Sequence, residues 1–404
     1  MQPALPFEVP LSNSVETAAQ VPSAQPARAP RFYQPELDLL RFVAFLLVFV
    51  HHLLPETLGP GHSELAEQVF ETIKFASGNG LSLFFLLSSY LITELLLREQ
   101  EATGTIAIKS FYIRRILRIW PLYFAFITFG FLLGFANKAL HISFAFLAEY
   151  ALLLGNLAFY HNPTINPIGP LWSISVEEQF YLCWPSVARA FGRRGILYLS
   201  LALIPISILT SAWLTRTAVH PGFAIWMHSL TEFECFGAGA LLALALHYRR
   251  WMPGLASRLA LFGAGVAVWV VSDGYFHYKA MQMLPVRDLA PQIIGFQLIP
   301  LGSCLIFLGF LGTRVGAAGF RPLLYLGRIS YGLYVYHIFA RYVAMRMFST
   351  LHIREFAALS VPSFLLMGTA LGITIVLAML SYQFFEKPFL RLKERFTIVK
   401  TRVT

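Results

Sequence analysis

Ten runs of about 20 mostly apolar residues divide this chain of 404 residues, near 37–55, 79–97, 118–136, 173–190, 196–213, 233–248, 259–275, 292–312, 331–349 and 360–384. A run of that length is what a helix needs to cross a hydrocarbon core about 30 Å thick. In lipid every backbone N–H and C=O must bond within the protein, so separate apolar runs fold as helices. The expected fold is therefore an all-α polytopic membrane protein with ten transmembrane helices. Composition agrees: 57% of the residues are hydrophobic and 13% charged, against about 25% charged in soluble domains. The 37 Phe and 17 Tyr suit lipid contact and interfacial belts. A formal net charge of +10 could serve nucleic-acid binding, but the basic residues sit in short loops between apolar runs, where they act as topology signals. The bilayer is the expected partner, and nucleic acid is not. Cys183, Cys235 and Cys304 have neither metal-ligand spacing nor the pattern of a disulfide framework. They read as small core residues, and no metal is expected.

Charge also sets the expected topology. With the N-terminus cytoplasmic, the first loop is outside and carries Glu56, Glu64, Glu67 and Glu71 against Lys74. The next loop is inside, with Arg98, Lys109, Arg114, Arg115 and Arg118. The stretch "FAFLAEYALLLGNLAF" at 144–159 is short and contains Glu149 and Asn156. If it does not cross, the loops holding Arg189, Arg193 and Arg194, then Arg249, Arg250 and Arg258, then Arg314, Arg321 and Arg328, all fall inside. That satisfies the positive-inside rule. Both termini are then cytoplasmic and 144–159 is a re-entrant or interfacial segment. Residues 1–34, rich in Pro, Ala, Ser and Gln, read as a disordered tail. Residues 35–390 form the membrane domain, and 391–404 a basic cytoplasmic tail. Nothing in the pattern sets an oligomeric state.

Several stretches place polar chemistry at membrane depth, where an ionisable group is a functional candidate. In "RFVAFLLVFVHH", Arg41 and His52 are eleven residues apart, about 20° in rotation and about 16 Å along a helix, so they share a face that His51 does not. Asp38 lies one turn before Arg41. In "GPLWSISVEEQFYLCWP", Ser173, Glu177 and Tyr181 follow i, i+4 spacing, with Trp172, Ser175 and Glu178 beside them. In "SFYIRRILRIWPLY", Arg114, Arg115 and Arg118 form a basic cluster, and guanidinium forks suit phosphate and pyrophosphate. Ser330, Tyr331, Tyr334 and His337 bring polar groups into "LGRISYGLYVYHIF", and Tyr382 and Glu386 do so in "SYQFFEKPF".

Together these stretches resemble the acyltransferase-3 family of integral membrane acyltransferases. The resemblance runs from Leu37 to about Phe389. Arg41 and His52 match its Arg-x10-His motif, and Arg115 and Arg118 its Arg-x-x-Arg element. "GLSLFFLLSSYLIT" is similar to its second-span motif, and "WSISVEEQFY" to its Trp-Ser-x-Ser-x-Glu-Glu-x-Phe-Tyr block. "LGRISYGLYVYH" and "SYQFFEKPF" resemble its closing motifs. Phe42 stands where the family usually has Gly, Ser82 where it has Asp, and Ser89-Tyr90 where it has Gly-Phe. Many members carry a fused extracytoplasmic hydrolase-like domain, and no stretch here reads as one.

The resemblance implies transfer of an acyl group, commonly acetyl, from acyl-CoA to a hydroxyl. The acceptor would be a cell-envelope glycan, a lipid or a secreted small molecule, in the bacterial plasma membrane. Acetyl-CoA is then a co-substrate, and no tightly bound cofactor is expected. His52 is the expected general base, with Glu177 or Glu178 orienting it as the carboxylate does in a triad. Arg114, Arg115 and Arg118 would hold the phosphates, and Arg41 would bind the donor deeper in or polarise the thioester. Ser173, Ser175, Trp172, Tyr331 and His337 are further candidates, His337 mainly for packing or hydrogen bonding. The rival reading is a proton-coupled secondary transporter with a relay through His52, Glu177 and His337.

Overall fold

The computed structural model describes residues 32–137, 140, 142–163, 166–247, 253–279, 282–313, 315, 320–353 and 356–399. Most of the expected tail at 1–34, the end of the C-terminal tail, and Arg249, Arg250 and Arg314 lie outside the described residues. Among the described residues the chain is helical, and the one strand-like pairing is an isolated bridge between Thr57 and Ala358. The helices in chain order are α1 (Pro35–Leu53), α2 (Glu64–Ser77), α3 (Gly80–Thr103), α4 (Ile108–Ala136), α5 (Phe144–Ala151), α6 (Gly155–His161), α7 (Trp172–Thr217), α8 (Pro221–Met227), α9 (Ser229–Leu246), α10 (Leu255–Val270), α11 (Phe296–Phe310), α12 (Arg321–Arg328), α13 (Ser330–Thr350), α14 (Val361–Leu380) and α15 (Lys387–Glu394).

Seven helical segments among the described residues are long and apolar enough to cross a membrane. α1 and α13, with 19 and 21 residues, coincide with runs at 37–55 and 331–349 but carry more polar side chains. α7 contains 46 residues, which would reach about 69 Å if straight. It is broken at Gly192, whose φ of 57° and ψ of −148° suit glycine almost alone. The break falls between the runs at 173–190 and 196–213.

The 144–159 stretch folds as α5 and α6, of 8 and 7 residues. Each is about 10–12 Å long, too short to cross. Ser143 caps α5 by accepting from the Phe146 N–H. Leu153, at φ 60°, turns the chain, and α6 is pinned to α7 by the Gly155 N–H donating to Ser175 Oγ at 3.1 Å.

α3 is the axial element, packing against α1, α7, α9 and α11. On it Leu83, Leu86, Leu87 and Leu96 are buried, so the cost of ordering a long helix is offset by apolar packing on several sides. α12 lies against α1 at Gly327, where a Cβ would collide with the Asp38 carbonyl. That close approach sets Arg328 beside Asp38. Of the three free cysteines, Cys235 is buried as expected of a small core residue. Cys304 is half-buried, and Cys183 is exposed on the outside of α7, because the helix turns that position away from the bundle.

Candidate active site

A cavity of about 720 Å³ opens beside the Arg41 end of α1. It follows α3 from Leu95 through Ile92, Ser88 and Phe84 to Leu81, a lined depth of about 21 Å at 1.5 Å per residue. These positions recur at helical spacing, so one face of α3 forms the wall. Its other walls are Asp38 and Arg41 of α1, Arg115, Arg118 and Ile119 of α4, Ser173, Ile174 and Glu177 of α7, and Ser330, Tyr331 and Tyr334 of α13. Arg328 of α12 and Lys387, Arg391, Lys393 and Glu394 of α15 stand at the mouth. Cations outnumber carboxylates, which favours an anionic ligand.

Most of the expected donor residues meet here. Arg41 donates to Asp38 at 3.0 Å, and Asp38 also accepts from Tyr33 OH at 3.1 Å. The Arg115 guanidinium stands 5.2 Å from the Tyr181 ring centre and 5.6 Å from that of Phe111. Arg118, one turn further along, lines the same wall. Arg114 does not. It pairs with the buried carboxylate of Glu99 at 2.8 Å and donates to the Phe396 carbonyl at 2.9 Å. A step of one residue rotates a side chain about 100°, enough to separate the two roles.

The acidic block divides in the same way. Glu177 faces the cavity and accepts from the hydroxyls of Ser88 and Tyr181. Glu178 faces away and accepts from Trp120 Nε1 at 2.9 Å. Ser175 binds the Gly155 N–H and lies 3.2 Å from Tyr123 OH. Trp172 is buried edge-on to Trp226. These three hold α7 to its neighbours. Ser173 remains on the cavity wall, 2.7 Å from Tyr334 OH, which donates to the Pro170 carbonyl at 2.8 Å. Tyr331 OH donates to the Ile119 carbonyl at 2.8 Å.

His52 and His337 stand outside the lining of this cavity, with the His337 ring centre 5.4 Å from that of Tyr334, a wall residue. His52 is not brought to Glu177 or Glu178, contrary to the triad-like pairing expected from sequence. The far end of α1 packs on α13 instead, and His52 Nδ1 lies 3.1 Å from His337 Nε2. His337 Nδ1 is 2.5 Å from the Tyr334 carbonyl. A carbonyl only accepts, so that Nδ1 carries a proton. Nε2 of neutral His337 then accepts, which puts the next proton on His52 Nδ1 and leaves the lone pair on His52 Nε2. His51 points elsewhere and donates from Nδ1 to the Lys74 carbonyl at 2.9 Å.

Ser88, Arg328 and the α15 cations were not singled out from sequence as site residues. The α3 periodicity could have suggested Ser88. The basic tail carries no comparable signal, because topology alone accounts for it.

The acyltransferase-3 profile, described as an acyltransferase domain, matches residues 34–382. Peptidoglycan O-acetyltransferase OatA of Listeria monocytogenes is 25% identical over 390 residues, covering 89% of this chain and 56% of the relative. "Putative peptidoglycan O-acetyltransferase YrhL" of Bacillus subtilis is 27% identical over 386 residues, covering 88% of this chain and 55% of the relative. The chain thus spans little more than half the length of these curated relatives. No solved structure matches. With the profile covering most of the chain, and Arg41, Arg115, Arg118, Ser173 and Glu177 of its motifs around one cavity, the chain belongs to the acyltransferase-3 family.

Proposed function

We propose that this protein is a membrane O-acyltransferase that moves an acetyl group from acetyl-CoA to a hydroxyl of a cell-wall glycan, with His52 as general base. The names of OatA and YrhL support the glycan as acceptor class. The observation that carries the reading is the hydrogen-bonded series Tyr334 carbonyl, His337, His52, which starts at a residue in the wall of a cation-lined cavity.

The topology we propose has ten spans: the seven apolar segments, with Gly169–Thr217 counted on both sides of Gly192, and α1 and α13 added. The Arg41 end carries Arg98, Arg114, Arg115, Arg118 and Arg328, whereas the His52 end carries Glu56, Glu64, Glu67 and Glu71. The positive-inside rule puts the Arg41 end and both termini in the cytoplasm of a bacterial cell. Donor then enters from the cytoplasm and acceptor approaches from the other side.

In this mechanism the donor phosphates bind Arg115 and Arg118, and the arm runs past Arg41 toward Ser173 and Tyr334. His52 Nε2 takes the proton of the acceptor hydroxyl as its oxygen attacks the thioester carbonyl. The tetrahedral intermediate collapses, the C–S bond breaks, and the thiolate recovers the proton from His52. His337 accepts from His52 Nδ1–H throughout, fixing the tautomer and stabilising the imidazolium, as an orienting group does in a triad. The transporter reading loses its relay, because Glu177 is bonded to Ser88 and Tyr181 rather than to an imidazole.

The test uses purified full-length protein in nanodiscs, with acetyl-CoA and a peptidoglycan-derived acceptor. His52→Ala should cut kcat by about 10³-fold, within the usual range for a lost general base, with little change in donor KM. Wild-type turnover in the His52 variant would end the general-base assignment.

A further inference from the structure

We propose that α15 is the site for the terminal phosphomonoester of the nucleotide donor, distinct from the pyrophosphate contact of Arg115 and Arg118. The inference rests on the acyl-CoA reading above. α15 has eight residues, and Lys387, Leu390, Arg391 and Glu394 all line the cavity, with Lys393 beside them. That is an i, i+3, i+4, i+7 stripe, one face of a helix, and it is turned to the cavity. Three cations on this helix stand against one carboxylate, Glu394.

The helix is held in place from the donor wall. α15 packs on α4, and Arg114 of α4 donates to the carbonyl of Phe396, just beyond α15, at 2.9 Å. The residue that sequence offered as a phosphate ligand therefore positions the helix that carries others. Arg328 adds a further cation at the same mouth.

The chemistry of the donor sets the order of contacts. A coenzyme A thioester carries its acyl group at one end, then the pantetheine arm, then the pyrophosphate, and its ribose phosphomonoester at the other end. With the acyl group near Tyr334, the lined depth of about 21 Å along α3 takes the arm and the pyrophosphate. The phosphomonoester is left at the mouth, where α15 lies. Arg and Lys make charge-assisted bonds to such a dianion.

The experiment compares acetyl-CoA with acetyl-dephospho-CoA, which lacks only that phosphate, in full-length protein. In wild type the dephospho donor should show a KM about tenfold higher, the loss expected for a charge-assisted contact. Arg391→Ala/Lys393→Ala should raise the acetyl-CoA KM by a similar factor, keep kcat within about twofold, and leave the KM for the dephospho donor unchanged. The charge-preserving Arg391→Lys/Lys393→Arg variant should retain most of the discrimination, which separates lost contact from lost folding. An equal rise in KM for both donors, or no rise for either, overturns the proposal. So does a defect seen only in anionic-lipid nanodiscs and absent in neutral ones, which would assign α15 to lipid headgroups. Failure of wild type to use any coenzyme A thioester overturns the donor reading itself, and the α15 assignment with it.

Discussion

The two ends of the bundle use charge in opposite ways. At the Arg41 end, cations line an open cavity and keep part of their surface wet. Arg41 and Arg328 are 17% and 41% exposed even while facing Asp38. At the His52 end a second set of charges is closed in. Lys279 is only 5% exposed and lies over the Trp226 ring, 3.8 Å from its centre. Asp273 accepts from Asn79 at 2.8 Å through one oxygen. Its other oxygen and both oxygens of buried Glu232 have no hydrogen-bond partner among the described residues. Burial pushes the Lys279 ammonium down to about 8, as expected where a charge leaves water. A half-exposed cation can exchange water for a ligand at small cost. A buried one cannot, so its effect is on which fold is stable. The His52–His337 pair lies at the boundary between the two, its members 3.1 Å apart and His337 bonded to the carbonyl of Tyr334 in the cavity wall.

The comparison can be broken most sharply at that boundary. His337→Ala should lower kcat by about 10²-fold, the scale of a misoriented base, with donor KM preserved. His337→Gln should recover part of the loss, since its carbonyl can accept from His52 Nδ1–H. Unaltered kcat in both variants would make His337 a packing residue. A smaller effect belongs to the open end. Arg115→Ala/Arg118→Ala should raise the acetyl-CoA KM tenfold or more, in line with the loss of two charge-assisted contacts, and leave thermal stability nearly unchanged. Equilibrium binding of coenzyme A is the direct readout, and unchanged affinity would remove the phosphate role.

The smallest effect concerns the closed end and appears as stability, not turnover. Lys279 titrates near 8 when folded and near its ordinary 10.5 when exposed. Between those values the unfolded chain binds more protons, so stability contributed by this group rises with pH. Thermal unfolding should show wild type gaining on Lys279→Met across that window. No gain across that window would mean that Asp273 and Glu232 hold the ammonium charged.

Much of the site was legible as residue types in a row. Arg41, Arg115, Arg118, Ser173 and Glu177, each marked in the sequence as polar near membrane depth, line one cavity. Within each motif, though, neighbours divide. Arg114 ties α15 to α4 while Arg115 faces the cavity, and Glu178 bonds Trp120 while Glu177 faces Ser88. Sequence marks both members of each pair as polar at membrane depth, and only packing decides which of two directions about 100° apart is inward. The hydrogen-bond partner of His52 was harder still. Glu177 and His337 are both polar groups on long helices, and the choice depends on α1 packing against α13.

By itself the sequence determined the apolar segmentation, the helical state of each segment, the failure of 144–159 to extend into a full span, and the concentration of arginine at one end. These follow from short-range rules: helix rise, lipid thickness and the need to satisfy every backbone group. Tertiary structure alone decided that His52 meets His337, that Glu177 meets Ser88 and Tyr181, and that a basic tail turns its charged face into the cavity. Those choices depend on helix rotation and on contacts hundreds of residues apart, which local periodicity does not encode.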